Sequence, residues 1–445
     1  MTAQFKRRQL LKLLGAGSLV AGGASQAFAG RAWWEGLRGF GHVESSTSRR
    51  PPRKREKIPL NDLRPGNIPL RSDEMLIQMD AAIERMSKIA ARGRWPRMPK
   101  VGMLRPDDDH EAVDIVRRIL AASGDMPART ARATAGSYNF DRYVEAAVKR
   151  FQQRHGLRPT GRLDRPTRAQ LAVSPQARLK QLRLNRQRVA ALVQGRIADR
   201  YIMVNTASFE LEAVERYEVH GRHRVIVGKP DRQTPTIAAT IEGLNFFPYW
   251  RVPMSIARKD LFPRLVREPE YLEKEHIRVL SKTYDGQELD PTQIDWRTAD
   301  AKIVKFRQDP GPWNALGLVR INMPNEHIVY MHDTPLKPLF GQRYRAFSAG
   351  CVRVQGVMDL VAWIASYEPG FGSEGAVAQI LERGQPVDIK LTRPIPVHFT
   401  YITAWAEADG SLQFRPDIYG RDGAAELVGT ADPDAIAAAP RTFSP

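Results

Sequence analysis

The sequence contains a single cysteine, Cys351, and a histidine, His332, lies nineteen residues before it. A lone cysteine with a histidine upstream is a candidate pair of nucleophile and general base. Small residues precede the thiol in the segment 348–350. Small residues let backbone N–H groups approach the oxyanion that forms during acyl transfer. The pattern therefore predicts a catalytic cysteine, whereas a cysteine that only fills a hydrophobic core would be expected within an apolar strand.

The residues next to this pair have the types that an acyl transfer needs. His332 would take the thiol proton and return it to a leaving amine. Its second ring nitrogen needs an acceptor, and Asp333 can supply either its carbonyl or its side chain. Gly350 can adopt backbone angles that other residues resist, and we expect Gly350, Ala349 and Cys351 to contribute the N–H groups of an oxyanion hole.

The amino-acid sequence around His332 and Cys351 resembles that of a known protein family. His-Asp-Thr-Pro at 332–335, followed by Ser-x-Gly-Cys-Val-Arg-Val at 348–354, is similar to the catalytic signature of the L,D-transpeptidases of bacterial cell walls. The match is closest to the large branch, which has a peptidoglycan-binding module and a capping subdomain. Many members have histidine directly before the Gly-Cys pair, where this chain has Ala349, and a small residue there is usual in the large branch. The base role then rests on His332 alone.

The resemblance implies a two-step transfer. Cys351 would attack the bond between diaminopimelate and D-alanine in a tetrapeptide stem, and D-alanine would leave. The side-chain amine of a second stem would then resolve the thioester and form a 3→3 cross-link. Carbapenems would acylate the same sulfur. The family needs no cofactor, and no metal-ligand cluster is visible in the sequence.

Wall peptides carry free carboxylates, which a guanidinium binds well by bidentate pairing. Arg345 could instead be a surface strand residue. We expect the substrate to contact charged, small and aromatic side chains around the cysteine and in two aromatic segments, namely Arg353, Arg345, Ser348, Tyr330, Trp250 and Trp313.

The net charge of the chain and its N-terminal sequence limit the classes of molecule that it can bind. The net charge of +19 suits nucleic acid, a membrane surface or an anionic wall polymer. Residues 1–29 combine a twin-arginine pattern, a short apolar run and an Ala-x-Ala cleavage site, which predicts a twin-arginine signal peptide and a periplasmic protein. Export argues against a nucleic-acid partner. Peptidoglycan stems are the expected partners, with outer-membrane proteins as possible acceptors, and we expect a monomer.

A segment at 147–171 resembles the three-helix peptidoglycan-binding domain, through Ala-Val, Phe-Gln, Gly-Leu and a later Gly and Thr at matching places. The alternative is a helical hairpin with a purely structural task, and such modules sometimes bind only partner proteins. Helical spacing of apolar residues predicts helices on both sides of it, at 72–91 and 179–194.

These patterns predict an α+β multidomain protein: a mostly-β catalytic domain with a helical lid insertion, a helical scaffold and a three-helix domain. We expect the β-rich part to begin at Tyr201, with a turn at His220 and Gly221. The predicted ranges are a basic Pro-rich linker at 30–70, scaffold at 71–106 and 177–199, a peptidoglycan-binding-like domain at 107–175, catalytic domain at 200–392 with its capping subdomain at 251–316, and C-terminal strands and tail at 393–445.

There are three alternatives to a cross-linking enzyme, and the order of the residues argues against the first. A papain-like wall hydrolase has its cysteine before its histidine, which is the opposite order to Cys351 and His332. A non-catalytic wall-binding protein would have an ordinary thiol. A transferase that tethers outer-membrane proteins to the wall, or exchanges D-amino acids, uses identical chemistry, and the sequence does not separate it from cross-linking.

Overall fold

Two long helices form the scaffold. The computed structural model describes residues 62–93, 95–371 and 375–423, so the predicted signal peptide and most of the predicted linker lie outside the described residues. Helix α1 (Asp73–Ala91) begins at Ser72, whose hydroxyl accepts from the Met75 N–H at 3.1 Å. Helix α6 (Pro175–Val193) returns alongside it, and Met75 shares a hydrophobic cluster with Val189 of α6.

The small helical domain lies between these two helices in the chain and has its own hydrophobic core. Its helices are α2 (Ala112–Ala122), α3 (Ala128–Ala133), α4 (Arg142–Arg154) and α5 (Arg165–Leu171). The N-caps are Asp141 for α4 and Asp164 for α5, and the latter follows Gly161, which has φ of +70°. Helix α3 is a fourth helix in a domain for which the sequence predicts three.

The β-rich part contains fourteen strands within the described residues. They are β1 (Arg200–Asn205), β2 (Glu210–Glu215), β3 (Glu218–Gly228), β4 (Ile237–Phe246), β5 (Trp250–Arg251), β6 (Ile277–Ser281), β7 (Val304–Gln308), β8 (Val319–Asn322), β9 (Met331–His332), β10 (Ala346–Ser348), β11 (Val352–Val354), β12 (Val387–Thr400), β13 (Ala404–Ala406) and β14 (Leu412–Phe414).

Nine of these strands form one sheet in the order β10-β3-β11-β9-β8-β4-β12-β1-β2. Strand β2 also pairs with β3, so the sheet closes on itself and leaves few free edges. The main hydrophobic core fills the sheet, and helix α10 (Val357–Ala365) packs into it through Leu360 and Val361. Helix α11 (Ala376–Arg383) follows.

The capping region between β4 and β8 is a separate small layer. It holds the short helices α7 (Met254–Ile256), α8 (Phe262–Leu265) and α9 (Tyr271–Lys274), and a three-stranded sheet in the order β5-β7-β6. Its apolar residues form a core of their own around Trp250 and Phe306. The helical pieces are as expected, but the sheet is not, because its strands are short and lie in a sequence of mixed charge.

Three details correct the sequence-based expectations. The turn between β2 and β3 lies at Arg216 and Tyr217, which have positive φ of 49° and 68°, while His220 and Gly221 lie inside β3. Strand β12 crosses the predicted boundary at 392/393 without ending there. The predicted linker does not reach residue 70, because Arg64 is buried and pairs with Glu212 at 2.7 Å.

No helix among the described residues is both long enough and apolar enough to cross a membrane. The mixed helical and β architecture confirms the predicted fold class.

Candidate active site

Two neighbouring strands bring the predicted nucleophile and base together. Strand β11 runs parallel to β9, and Arg353 lies opposite His332 in the register. Side chains alternate between the two faces of a strand, so residues two apart share a face. Tyr330 and Cys351 come directly before these two strands. The Arg353 charge acts on both Cys351 and His332, and the rings of Tyr330 and His332 are 5.7 Å apart, so these four residues are neighbours.

The loop before the sulfur is held in a tight conformation. Gly350 has φ of +127°, a value that disfavours any residue with a side chain. The Ser348 hydroxyl donates to the Cys351 carbonyl at 2.6 Å and accepts from the Gly350 N–H at 3.2 Å. The Gly350 N–H is thus directed at Ser348, which does not support the expectation that it serves the oxyanion hole in this conformation.

A second loop, at 228–234, supports the first. The Thr234 hydroxyl donates to the Gly350 carbonyl at 2.8 Å and accepts from the Gly228 N–H at 2.9 Å. The Tyr419 hydroxyl donates to the Gly228 carbonyl at 2.7 Å. Gly228 has no room for a side chain, because a Cβ there would lie 2.1 Å from the Arg232 carbonyl oxygen. The nucleophile loop is therefore fixed by side chains from distant parts of the chain.

The imidazole of His332 is set in one tautomer. Its Nδ1 lies 2.5 Å from the Asp333 carbonyl oxygen, which can only accept, so Nδ1 carries the proton. Its Nε2 is buried and has no hydrogen-bond partner among the described residues. Burial lowers the pKa of His332 to about 3, and the Arg353 charge adds to this effect. His332 is therefore a neutral base with one open acceptor nitrogen.

The carbonyl of Asp333, and not its carboxylate, orients the imidazole. One carboxylate oxygen of Asp333 accepts from the Leu318 N–H at 3.1 Å, and the other pairs with Lys337. These contacts fix the backbone around Asp333, and a Cβ at Gly317 would collide with its side chain. The sequence left both options open, and the structure favours the first.

The thiol of Cys351 is almost fully buried, with 8% of the residue exposed. Burial raises the pKa of the Cys351 thiol to about 11, although three neighbours oppose the rise. The backbone N–H and the hydroxyl of Tyr330 are near enough to the sulfur to lower the pKa of the thiol, and the charges of Arg353 and Arg320 act in the same direction. The resting pair is thus a neutral thiol and a neutral imidazole, in surroundings that stabilise a thiolate once it forms.

The roof of the site comes from the capping region. Tyr330 packs against both the main core and the capping core, and Ala349 packs against the capping core. Trp250 is buried in the capping core, beside the Tyr330 hydroxyl. Burial raises the pKa of Tyr330 far above its ordinary value, so its hydroxyl remains a donor. The cap therefore excludes water from the sulfur and positions one of its hydrogen-bond donors.

The two arginines proposed for substrate binding have different surroundings. Arg353 is buried beside Cys351, and burial lowers its pKa to about 10, so it stays charged at neutral pH. Arg345 is also buried, but it pairs with Asp62 at 2.6 Å and donates to the Val225 and Phe209 carbonyls. Arg345 is neither a surface residue nor close to the sulfur by these contacts. The structure does not support its expected role as a substrate ligand.

Trp313 is the remaining residue that the sequence predicts to contact substrate. Trp313 is 38% exposed and stacks on His276 in the capping region, with ring centroids 3.9 Å apart. Thr234 and Tyr419, which hold the loops at Gly350 and Gly228, are not predicted from the sequence. Within the described residues no cluster of His, Cys, Asp or Glu could hold a metal ion.

Comparison with known proteins assigns two parts of the chain. Residues 199–389 match the YkuD family, described as "L,D-transpeptidase catalytic domain". Residues 109–171 match the family described as "Putative peptidoglycan binding domain". The first match covers Cys351, His332 and the capping region.

A curated relative from Haemophilus influenzae, named "Putative L,D-transpeptidase", is 34% identical over 222 residues. The match covers 50% of this chain and 44% of the relative, so the chain spans less than half of that protein's length.

Two solved structures are also similar. An L,D-transpeptidase from Mycobacterium smegmatis has 13% identity and a TM-score of 0.23 over 46% of this chain and 59% of that chain. An L,D-transpeptidase from Stackebrandtia nassauensis has 13% identity and a TM-score of 0.25 over 68% of this chain and 96% of that chain. The two family matches confirm the resemblance seen in the sequence: residues 199–389 are similar to an L,D-transpeptidase catalytic domain, and residues 109–171 are similar to a peptidoglycan-binding domain.

Proposed function

We propose that the protein is a periplasmic L,D-transpeptidase that forms 3→3 cross-links in peptidoglycan through a thioester on Cys351. The observation that supports this most is the parallel register of β11 and β9, which pairs Arg353 with His332 two residues after Cys351. The open Nε2 of His332 supplies the base, and the cap supplies a dry site. The catalytic-domain match supports the same chemistry.

In the first step the Cys351 thiol proton passes to Nε2 of His332 as the sulfur attacks the carbonyl carbon between diaminopimelate and D-alanine. The donors on Tyr330 stabilise the sulfur while it is anionic. The C–N bond then breaks, and the imidazolium returns the proton to the nitrogen of D-alanine. The product is a thioester between the donor stem and Cys351, plus free D-alanine.

In the second step the side-chain amine of another stem attacks the thioester carbonyl. His332 takes a proton from that amine, the C–S bond breaks, and the proton returns to the sulfur. Arg353, buried beside Cys351, provides a fixed positive charge that suits the free carboxylate of a stem. Asp333, Ala349 and Ser348 position the reacting groups, and Trp250 holds the roof. Export by the twin-arginine route would place the protein at this substrate.

The decisive experiment is mass spectrometry of products from purified disaccharide-tetrapeptides. The wild-type protein should give 3→3 dimers and one D-alanine for each dimer, and Cys351→Ala should give neither. Dimers from Cys351→Ala would remove the cysteine from the mechanism. Cleaved stems without dimers would indicate a hydrolase, and incorporation of an added D-amino acid would indicate exchange. Tyr217→Phe, a change at an exposed turn, is the matched control and should behave as wild type.

A further inference from the structure

A cleft of about 810 Å³ lies away from the sulfur, where three parts of the chain meet. Its walls are α1, the end of α2 with α4 of the small helical domain, and the hairpin of β13 and β14, closed by the segment 62–65. None of its lining residues belongs to the active site described above. Its volume lies in the range of sites that bind small molecules or peptide segments.

The cleft has an excess of positive charge. Seven lining side chains are Arg or Lys, and four are Asp or Glu. Three of the four acids pair with arginines: Asp125 with Arg154 at 2.5 Å, Glu407 with Arg64 at 3.1 Å, and Asp62 with Arg345 at 2.6 Å. The fourth, Asp409, accepts from the Ser411 N–H at 2.8 Å. The lining acids therefore cannot neutralise the remaining cations, and the cleft attracts anions.

Two arginines on opposite walls have binding capacity left. Arg92, at the end of α1, is exposed and makes no side-chain hydrogen bond or ion pair among the described residues. Arg150, on α4, is exposed and uses only its Nε, which donates to the Asp125 carbonyl at 2.8 Å. Their guanidinium N–H groups can bind a carboxylate in a bidentate manner.

A further arginine near the cleft also lacks partners. Arg343 has Nε and Nη2 buried without a hydrogen-bond partner among the described residues. It lies within electrostatic range of two lining residues, Asp62 and Arg415, and of Arg158 in the small helical domain. Burial lowers the pKa of Arg343 to about 10, so it remains charged at neutral pH. Arg343 does not line the cleft, but its charge adds to the positive potential at this end of it.

We infer that this cleft binds the free carboxylates of a wall peptide stem, as a second contact between the protein and its polymeric substrate. The inference rests on the proposed function for the class of ligand. The chain's own segment 49–57 is a poor occupant, because six of its nine residues are Arg or Lys and would be repelled. A stem bound here would hold the polymer at the junction of the helical domain and the scaffold while another stem reaches Cys351.

The test measures binding of wall fragments to the protein. All variants also carry Cys351→Ala, so that the protein does not convert the fragments during the measurement. Arg92→Gln combined with Arg150→Gln should weaken binding of soluble tetrapeptide muropeptides and of purified wall sacculi by about tenfold or more. Arg129→Gln combined with Arg183→Gln is the matched control, with one exposed arginine in each of the same two regions. The control should bind within about twofold of the parent, as expected for isolated surface charges.

Three outcomes would overturn the inference. One is equal binding by the cleft variant and the parent. Another is equal binding of muropeptides whose carboxylates are amidated. The third is a loss of binding to bare glycan strands in the cleft variant, which would assign the cleft to the glycan. Cross-linking of soluble fragments by protein with an intact Cys351 is measured separately, so failure of the proposed reaction is distinguishable from failure of the cleft.

Discussion

The hydroxyl of Tyr330 lies beside the sulfur of Cys351 and lowers the pKa of that thiol, and the Tyr330 side chain packs against the capping core. This contact links the roof of the site to the reactivity of the nucleophile. It stabilises the thiolate more than the thiol, because a hydrogen bond to a charged acceptor is the stronger one.

We expect Tyr330→Phe to slow acylation of Cys351 by a carbapenem, and its alkylation by iodoacetamide, by about tenfold or more, since a hydrogen bond to a charged group is worth about 1.5–3 kcal/mol. The measurement is the second-order rate constant for each reagent at fixed pH. Tyr217→Phe, at a side chain that is 65% exposed, serves as the control. Equal rates for Tyr330→Phe and wild type would show that the hydroxyl does not assist the sulfur.

The rate at which the Cys351 thiol is alkylated should depend on pH as expected for a buried thiol with a raised pKa. The pKa of Cys351 is raised to about 11, so the thiolate is scarce at pH 7 and alkylation should rise about tenfold per pH unit up to pH 10. The pKa of His332 is lowered to about 3, so no step is expected near pH 6.5. The same protein in denaturant should instead level off near pH 8.5–9. A native profile that is already flat at pH 7 would contradict a neutral resting pair.

The loop that holds Gly350 can be tested through Thr234. Thr234→Val keeps the shape but removes the hydrogen bonds to the Gly350 carbonyl and from the Gly228 N–H. We expect kcat for dimer formation to fall about tenfold with little change in KM, because the lost contacts position the sulfur and do not touch substrate. Thr234→Ser should restore most of the rate. A rise in KM alone would assign Thr234 to substrate binding instead.

The segment before α1 should matter for stability. Asp62 pairs with both Arg345 and Arg224 at 2.6 Å, so Asp62→Asn leaves two guanidinium groups without their carboxylate. We expect the free energy of unfolding to fall by about 3 kcal/mol. Asp80→Asn, which breaks an exposed pair with Arg186, should cost about 0.5 kcal/mol or less. Urea denaturation measures both, and equal losses would contradict an anchoring role for Asp62.

Local patterns in the sequence were sufficient for much of the fold. Side-chain caps such as Ser72 and Asp164 act within a few residues, so the starts of their helices were predictable. The signature around Cys351 and His332 likewise predicted the catalytic domain that the family match covers. The strand ends that depend on pairing between strands were predicted wrongly, and the turn at Arg216 is an example. A glycine inside a strand, such as Gly221, indicates a turn when the strand that pairs with it is not known.

The supporting residues of the site were harder to predict. Tyr419 reaches the loop at Gly228 from a stretch that reads as a polar tail, and the contact spans 191 positions. Arg345 looked like a substrate ligand because it is close to Cys351 in sequence, yet its partner Asp62 lies 283 positions away. Contacts of that separation depend on the closed sheet, which no local pattern specifies.

The parallel pairing of β9 and β11 limits which insertions, deletions and register shifts the catalytic region can accept. The segment that joins the two strands also holds β10 and the loop at Gly350, so any change in its length must leave Arg353 paired with His332. A slip of one position along β11 would instead turn the sulfur to the opposite side of the sheet, away from the imidazole. The reactivity of Cys351 therefore depends on the register between β9 and β11 more than on the number of residues that separate the two strands.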